Sequence, residues 1–390
     1  MRLNKVVQLI RGKRGTKVGL QVLRKTKKGF DTLKIVIVRD KILLKDGEAQ
    51  SSIFEYPALG ENKSKQETLR IGVIKLPSFY VDFNDRRKNP SNYKSASRDV
   101  KVHLKKFVEE NVDGVILDLR NNGGGGLDEA INMAGLFIGH NPVVIVRQSG
   151  GRRVTVHRSR ERAIYTGPLV IMLNRYSASA SEILAGAMHD FQRAILVGDT
   201  TTFGKGTVQN IFQLPEGYGA LKVTIAQFYR VSGWSTQNRG VETSIVLPSL
   251  NNAREIGEST LDNALPWRSI DPVSYRVSGN LKNFLPELKK LSAERIDKAD
   301  FFRKIDEDVQ EYLTNIKPLK FTSILKMQED DTRRKSQREQ EVTSATETET
   351  EEVFATEDNP ESKKEIKRDD YMNESMSILA DYINLRQKAE

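Results

Sequence analysis

Residues 114–127 read GVILDLRNNGGGGL, an apolar run that leads into four consecutive glycines. The run GVILDL is typical of a strand that is buried on both faces of a sheet. Four glycines lose much conformational entropy on folding, so the fold must need their backbone for a special purpose. They can admit a ligand closely, point N–H groups into a site, or make a tight strand-to-helix turn. We favour a site here and keep the turn as the alternative.

On both sides of this stretch, apolar strands alternate with amphipathic helices. Strands then dominate to about residue 247. Continuous apolar strands between helices favour an α/β fold in which one sheet is covered on both faces. The pattern predicts strands over 71–76, 114–119, 142–147, 169–174, 194–198 and 220–229, and helices over 99–112, 127–138 and 180–191.

The front of the chain is small and basic. Residues 3–11 predict a helix, and residues 18–23 and 33–39 predict strands, which together make a core too small to fold alone. The first 50 residues hold 14 Lys/Arg and 4 Asp/Glu, so they account for the whole net charge of +10. Nucleic acid or anionic lipid could bind such charge. Because the charges interleave with apolar residues, we favour a solvated face and predict no nucleic-acid partner.

The back of the chain is helical and charged. Residues 339–361 carry nine acidic residues and no basic one, a composition typical of a disordered segment. Residues 371–388 predict a final helix. One stripe of that helix predicts a docking or core face, formed by Met372, Met376, Leu379 and Ile383.

Composition excludes several classes of protein. A length of 390 residues predicts two or three domains. The absence of cysteine excludes disulfide scaffolds, thiolate zinc sites and cysteine nucleophiles. The four histidines show no metal-ligand spacing, so we predict neither a metal nor a cofactor. No apolar run approaches the roughly 20 residues of a membrane-spanning helix.

A second candidate segment follows the predicted strand 169–174. It reads SASASE over 177–182 and opens a helix. A serine at a helix N-terminus lies beside free backbone N–H groups and the positive end of the helix dipole, which could hold an oxyanion. The alternative is an N-cap serine packed among small residues.

A third candidate segment, FGKGTVQ over 203–209, places a lysine between two glycines. A lysine drawn into an apolar loop can lose its charge and act as a general base. An ordinary turn with an exposed lysine is the alternative. As a phosphate-binding loop the segment fails, because five residues separate Gly198 from Gly204 and Gly206 follows the lysine. His189 lies about 15 Å along the helix from Ser179, too far to be its base.

Together the three segments resemble the tail-specific (carboxy-terminal processing) serine proteases, in particular the large periplasmic type. The motifs LDLRNNGGG, SASASEI, TFGKGTVQ and FYRV occur in the order and approximate spacing of that family, and DNALPW resembles the linker before its helical C-terminal domain. The resemblance runs to about residue 330, weakens through the acidic segment and returns faintly in the last helix.

The resemblance implies a role for each matching residue. Ser179 matches the nucleophile, Lys205 the general base and Gln209 the residue that orients the lysine. The oxyanion donors match the backbone N–H groups of Ala180 and of one glycine in the run, best aligned as Gly125. The resemblance therefore implies acyl transfer by a Ser/Lys dyad.

Two departures and one further residue qualify this match. Asp190 matches an aspartate implicated in activity, although the helix turns it away from Ser179. The chain from Ser179 to Lys205 is one residue longer than usual, with the extra residue among 200–202. The usual Thr-Pro-Asp reads Glu-Thr-Ser at 242–244. The extra residue among 200–202 affects the placing of the lysine.

The resemblance implies an α/β fold with a βα-layered serine protease core, a partial PDZ domain in front and a helical C-terminal domain. The front matches only the later half of a PDZ domain, so we expect an N-terminally truncated chain without its export signal. The implied domains are half a PDZ domain over 1–45, the protease core over 46–250, the helical domain over 251–338, an acidic disordered segment over 339–370 and a helix over 371–390.

The function that the resemblance implies is an endopeptidase for proteins with apolar C-terminal tails. Its implied location is the periplasm, with a possible association with the membrane, and any adaptor is unknown. One alternative is a non-catalytic peptide-binding scaffold, because half a PDZ domain could leave the dyad unassembled. Another is an unrelated hydrolase or acyl-CoA-type enzyme on a similar scaffold, which no residue favours.

Overall fold

A computed structural model describes residues 3–26, 29–40, 47–57, 68–90, 92–151, 153–215, 218–316 and 366–389. The chain divides into two compact units, Met1–Gly47 and Glu48–Glu390. The acidic segment predicted over 339–361 lies outside the described residues.

The first unit contains helix α1 (Leu3–Ile10) and the antiparallel strands β1 (Lys17–Thr26) and β2 (Gly29–Val38). Arg39 ties the helix to the hairpin, since its Nε donates to the Ile10 carbonyl at 2.7 Å and its Nη1 to Thr16 Oγ1 at 2.9 Å. These elements agree with the predicted helix and strands. The assignment to half a PDZ domain stays a prediction.

The second unit contains ten strands and eight helices in its described part. The strands are β3 (Gln50–Pro57), β4 (Thr68–Lys75), β5 (Gly114–Asp118), β6 (Pro142–Gln148), β7 (Val154–Arg158), β8 (Leu169–Leu173), β9 (Ile195–Gly198), β10 (Thr207–Gln213), β11 (Ala220–Tyr229) and β12 (Ile245–Val246). The helices are α2 (Phe83–Lys88), α3 (Ala96–Glu109), α4 (Leu127–Ile138), α5 (Ala180–Asp190), α6 (Leu250–Ala253), α7 (Leu285–Ile296), α8 (Asp300–Glu311) and α9 (Asp370–Ala389).

The main sheet has six strands in the order β12-β9-β8-β5-β4-β3. Five strands run parallel, and β3 pairs antiparallel with β4 at one edge. Every residue of β5 and β8 is buried, because α3, α4 and α5 pack on one face and α7 and α9 on the other. This arrangement confirms the α/β prediction with a sheet covered on both faces.

The final helix completes the second face of this sheet. The predicted stripe of α9 is buried, with Met372, Met376, Leu379 and Ile383 at most 6% exposed. A Cβ on Gly114 would lie 2.8 Å from a Leu379 methyl carbon, so α9 packs directly on the backbone of β5. The stripe is therefore a core face.

A second, antiparallel sheet has the order β10-β11-β6-β7. Its strand β7 and edge strand β3 of the main sheet escaped prediction from the sequence, and β10 was predicted only as part of the strand-rich region that ends near residue 247. Most side chains of β10 are exposed, so its sequence shows neither a buried run nor a clean alternation. Within the described residues, no helix has the length and apolar character needed to cross a bilayer.

Candidate active site

Three loops meet at the carboxyl ends of the parallel strands of the main sheet. The glycine-rich loop (residues 120–126) follows β5, the serine turn (residues 174–179) follows β8, and the lysine loop (residues 199–206) follows β9. These strands are adjacent and parallel, so their carboxyl ends lie side by side. In open α/β sheets this is where ligand sites form.

The structure separates the three serines of the segment SASASE, residues 177–182. Ser177 and Ser181 are buried and bind the backbone of the preceding loop: Ser177 Oγ donates to the Leu119 carbonyl at 2.9 Å, and Ser181 Oγ to the Asn122 carbonyl at 2.8 Å. Ser179 is only half-buried. Of the three hydroxyl groups, that of Ser179 is therefore the one available to a substrate.

Ser179 has a strained backbone, with φ 57° and ψ −110°. A side chain other than glycine in such a conformation costs about 1–3 kcal/mol and persists where the surroundings enforce it. Helix α5 begins at the next residue. The surroundings thus hold Ser179 in this conformation at the N-terminus of α5, at a sharp turn between strand and helix.

Backbone N–H groups flank Ser179 on two sides. Gly124 N donates to Asn122 Oδ1 at 2.9 Å, and Gly126 N donates to the Phe79 carbonyl at 2.8 Å. In the described part of the chain, the N–H groups of Gly123, Gly125 and Ala180 have no hydrogen-bond partner. Of the four glycines, Gly123 and Gly125 are therefore the two whose N–H groups could fill the oxyanion role that the resemblance implies.

The glycines also lie against the serine. A Cβ on Gly124 would lie 2.8 Å from Ser179 Cβ and 3.0 Å from Ala180 N, and one on Gly125 would overlap the Phe79 carbonyl. Both residues have positive φ, 102° and 147°. The loop thus needs glycine twice, for its conformation and for its close approach.

Glu182 joins the serine turn to the lysine loop. Its Oε2 accepts from Ser179 N at 2.7 Å and from Lys205 N at 2.9 Å. Its Oε1 accepts from Gly204 N at 2.7 Å and from Thr202 Oγ1 at 2.6 Å. Two backbone nitrogens on one carboxylate oxygen bring Ser179 and Lys205 together.

The Glu182 side chain is fully buried. Burial raises its pKa from 4.5 to about 7, although the hydrogen bonds from Thr202, Gly204, Ser179 and Lys205 act in the opposite direction. The ionised carboxylate accepts hydrogen bonds from all four donors, which favours ionisation, whereas burial disfavours it. A group that changes protonation near neutral pH therefore holds the two loops together.

Lys205 is half-buried, and its Nζ donates to Gln209 Oε1 at 3.2 Å. The sequence-based pairing of these two residues is thus present in the structure. Between the side chains of Ser179 and Lys205, both of which are described, there is no hydrogen bond.

Asp190 and His189 lie at the other end of α5, away from Ser179. The Asp190 carboxylate accepts from Arg230 Nε at 3.2 Å and from Ser232 Oγ at 3.2 Å. Arg230 also contacts His189 Nδ1 at 2.7 Å. The structure therefore brings Ser179, Lys205, Gln209, Gly125 and Ala180 to one site and leaves Asp190 outside it.

Sequence reasoning assigned no role to Glu182, although a signal was present. Serine followed three residues later by glutamate at a helix start is the capping-box pattern, which Ser179 and Glu182 follow. The pattern predicts a local cap but not the contacts to the lysine loop 20 residues away. Among the described residues there is no group of three metal-ligating side chains.

Two family models match this chain. Residues 70–247 match the model of peptidase family S41, and residues 251–384 match that of the C-terminal domain of tail specific protease. Together they span the protease core and the helices that follow it.

Curated relatives carry related names. The tail-specific protease of Haemophilus influenzae is 40% identical over 320 residues, which are 79% of this chain and 42% of that protein. The carboxy-terminal-processing protease of Bartonella bacilliformis is 35% identical over 63% of this chain and 50% of that protein. The chain thus spans half or less of the length of these two relatives.

Among solved structures, a photosystem II D1 C-terminal processing protease is 26% identical, with a TM-score of 0.43 over 63% of this chain and 59% of that one.

Proposed function

The chain belongs to peptidase family S41, and from that premise we propose that it is a serine endopeptidase in which Ser179 is the nucleophile and Lys205 the general base. Its proposed substrates are proteins with apolar C-terminal tails, and its proposed location is the periplasm. The names of the relatives support the first part of this proposal. The observation that carries it is the Glu182 carboxylate, which binds the backbone N–H groups of both Ser179 and Lys205.

The proposed reaction is acyl transfer. Lys205 in its neutral form takes the proton from Ser179 Oγ, and the oxygen attacks the scissile carbonyl. Lys205 then protonates the leaving amine, and water hydrolyses the acyl-enzyme. Gln209 orients the lysine through the 3.2 Å hydrogen bond to its amine.

The proposed oxyanion hole consists of the N–H groups of Gly125 and Ala180. Neither has a partner among the described residues, and Ala180 opens α5, whose positive dipole end adds to the stabilisation. A single oxyanion donor contributes about 10²–10³ in rate by precedent.

The test is cleavage of an unfolded protein with an apolar C-terminal tail. The unmodified chain is compared with Ser179→Ala and Lys205→Ala, purified identically. We expect cleavage by the unmodified chain and a loss of about 10⁴-fold or more in each variant. A second substrate with a charged tail, cut as fast as the first, would reject the tail selectivity while leaving the dyad intact.

A non-catalytic peptide-binding scaffold is the second candidate. The observation that favours it is the Lys205 amine, which donates to Gln209 and not to the Ser179 hydroxyl. Binding of the unfolded protein without cleavage by any of the three chains would support the scaffold.

A further inference from the structure

A cavity of about 440 Å³ lies on the second sheet, and this volume is within the range of small-ligand sites. Two arginines, Arg147 and Arg268, contribute to its lining. Thr224, Gln227 and the turn Gly150–Gly151 complete its polar part. No Asp or Glu is among the described residues that line it.

The strand register places this cavity next to the Lys205–Gln209 pair. Gln209 lies opposite Thr224, and Gln227 lies opposite Arg147 on the next strand. Residues directly opposite each other share one face of a sheet. A bulge in the β10–β11 pairing at Val208/Gln209 brings Thr224 and Gln227, three residues apart, to the same face. The cavity therefore opens on the face that carries the Gln209 side chain, to which the Lys205 amine donates. Since adjacent strands are about 4.8 Å apart, Arg147 lies about 10 Å from the strand of Gln209.

The two arginines are unpaired. Among the described residues, the guanidinium groups of Arg147 and Arg268 make no ion pair or hydrogen bond. Other arginines of this unit bind carboxylates, as Arg230 binds Asp190 and Arg295 binds Glu374. A guanidinium group matches a carboxylate with two parallel hydrogen bonds.

A neighbouring amide adds a donor to the cavity. Gln227 Oε1 accepts from the Tyr229 hydroxyl at 3.1 Å, so its amide N–H groups are the part that remains for a ligand. A second cavity of about 630 Å³, which Lys94, Lys101 and Asp99 help to line, differs in charge. There Lys101 pairs with Glu161 and Lys94 with Asp99, so acidic and basic side chains share that cavity.

The wall of the 440 Å³ cavity is attached to the lysine loop. The Leu265 carbonyl accepts from Asn238 Nδ2 at 3.0 Å, and Asn238 N donates to the Gly204 carbonyl at 2.7 Å. Ser235 N donates to the Arg268 carbonyl at 3.3 Å. One segment, residues 235–238, thus contacts both the cavity wall and the loop that carries Lys205.

We propose that this cavity is a subsite that binds a carboxylate of the peptide substrate to one side of the scissile bond. The carboxylate is either an Asp or Glu side chain or the free C-terminus of the peptide. This inference rests on the proposed protease function, because it places the cavity beside a cleavage site.

The test measures binding in the full chain with Ser179→Ala, so that no peptide is cut. One pair of fluorescent peptides differs by Glu against Gln and has an amide at the C-terminus. A second pair has neutral side chains and differs by a C-terminal acid against an amide. In at least one pair we expect the acid to bind about tenfold more tightly than its neutral partner. The pair that shows the difference identifies the source of the carboxylate.

The arginines are tested in the same background. We expect the double variant Arg147→Gln/Arg268→Gln to bind the acid and its neutral partner with equal affinity. Arg268→Gln alone, at an exposed position, reduces the difference in affinity between the two peptides. Arg276→Gln, an exposed arginine outside the cavity, is the matched control and leaves the difference unchanged. Equal binding within both pairs, or a difference that survives the double variant, overturns the subsite.

Cleavage separates this inference from the proposed function. With Ser179 intact, we expect kcat/KM to have one maximum in a series of peptides whose carboxylate lies at successive distances from the cut, and Arg147→Gln/Arg268→Gln removes that maximum. An arginine-dependent binding difference in a chain that cuts no peptide would reject the protease function and retain the carboxylate site.

Discussion

The two loops beside Ser179 are held in different ways. The glycine-rich loop is held by its own backbone: Gly124 and Gly125 have positive φ, and Phe79 exchanges hydrogen bonds with Gly124 and Gly126. The lysine loop is held by a side chain from another element, because the Glu182 carboxylate accepts from Thr202, Gly204 and Lys205. The loop of the proposed oxyanion donor is thus held by backbone groups, whereas a buried carboxylate ties the loop of the proposed base to Ser179.

This difference predicts where each loop fails. An added Cβ disturbs a loop fixed by its backbone conformation. Removal of the Glu182 carboxylate breaks the tie between the lysine loop and Ser179, although backbone bonds such as that from Asn238 N to the Gly204 carbonyl remain. The second kind of loop also responds to pH.

Among the variants that test the two loops, the largest effect is expected from Glu182→Ala. Four donors lose their acceptor, two of them buried, so we expect a loss of roughly 3 kcal/mol or more in the free energy of unfolding. Because Lys205 is no longer held near Ser179, kcat/KM falls by about 10³-fold at temperatures where the variant is folded. Peptide cleavage and denaturant unfolding measure the two quantities.

The matched control is Glu374→Ala on the opposite face of the main sheet. Glu374 is also buried and binds Arg295 and Ser292, but it lies far along the chain from both loops. This variant should lose stability and keep its kcat/KM. A folded Glu182→Ala protein with full activity would contradict the role of Glu182.

Gly125→Ala tests the other loop. The added Cβ overlaps the Phe79 carbonyl at a φ of 147°, so the backbone must move and the N–H of residue 125 with it. We expect kcat to fall by about 10²–10³ with little change in KM. Gly123→Ala is the control, since its Cβ meets no atom within 4 Å. Equal losses in both variants would argue against Gly125 as the donor.

The pH dependence of stability tests the protonation of Glu182. Its pKa is about 7 in the folded chain against an ordinary 4.5, so the folded chain retains a proton that the unfolded chain releases in this window. The free energy of unfolding therefore falls as pH rises from 4.5 to 7, by about 3 kcal/mol from this group.

Glu182→Gln removes this contribution. Denaturant unfolding at pH 5 and pH 8 should give a smaller decrease with pH in the variant than in the unmodified chain. The comparison between the two chains cancels the contributions of other titrating groups. Identical decreases would show that Glu182 does not change protonation in this range.

The smallest effect on activity is expected from Asp190→Asn. Arg230 and Ser232 bind Asp190 at the end of α5 that is remote from Ser179, so the loss affects stability first. We expect kcat/KM within about threefold of the unmodified chain, together with a lower midpoint of unfolding. A drop of two orders of magnitude in kcat, in a folded protein, would return Asp190 to the catalytic group that the resemblance implied.

The regular elements were the easiest part to predict. The helix over 127–138 and the strand over 220–229 have the predicted bounds, because both show a clear pattern of apolar residues. Strand β7 was missed since it has only five residues, and the bounds of β10 were not predicted since most of its side chains are exposed. Short or exposed strands are specified by their neighbours more than by their own sequence.

The residues of the site also divide into features with a local sequence pattern and contacts that depend on distant residues. The sequence alone determined that four glycines follow a buried strand, that a serine opens a helix, and that a lysine lies between two glycines, because each is a local pattern with a local physical cost. Only the tertiary structure decided that Ser179 is the accessible serine, that Glu182 holds Lys205 beside it, and that α9 covers the second face of the sheet. These contacts join residues that are distant in the chain, and their free energy comes from burial and hydrogen bonds that no local pattern encodes.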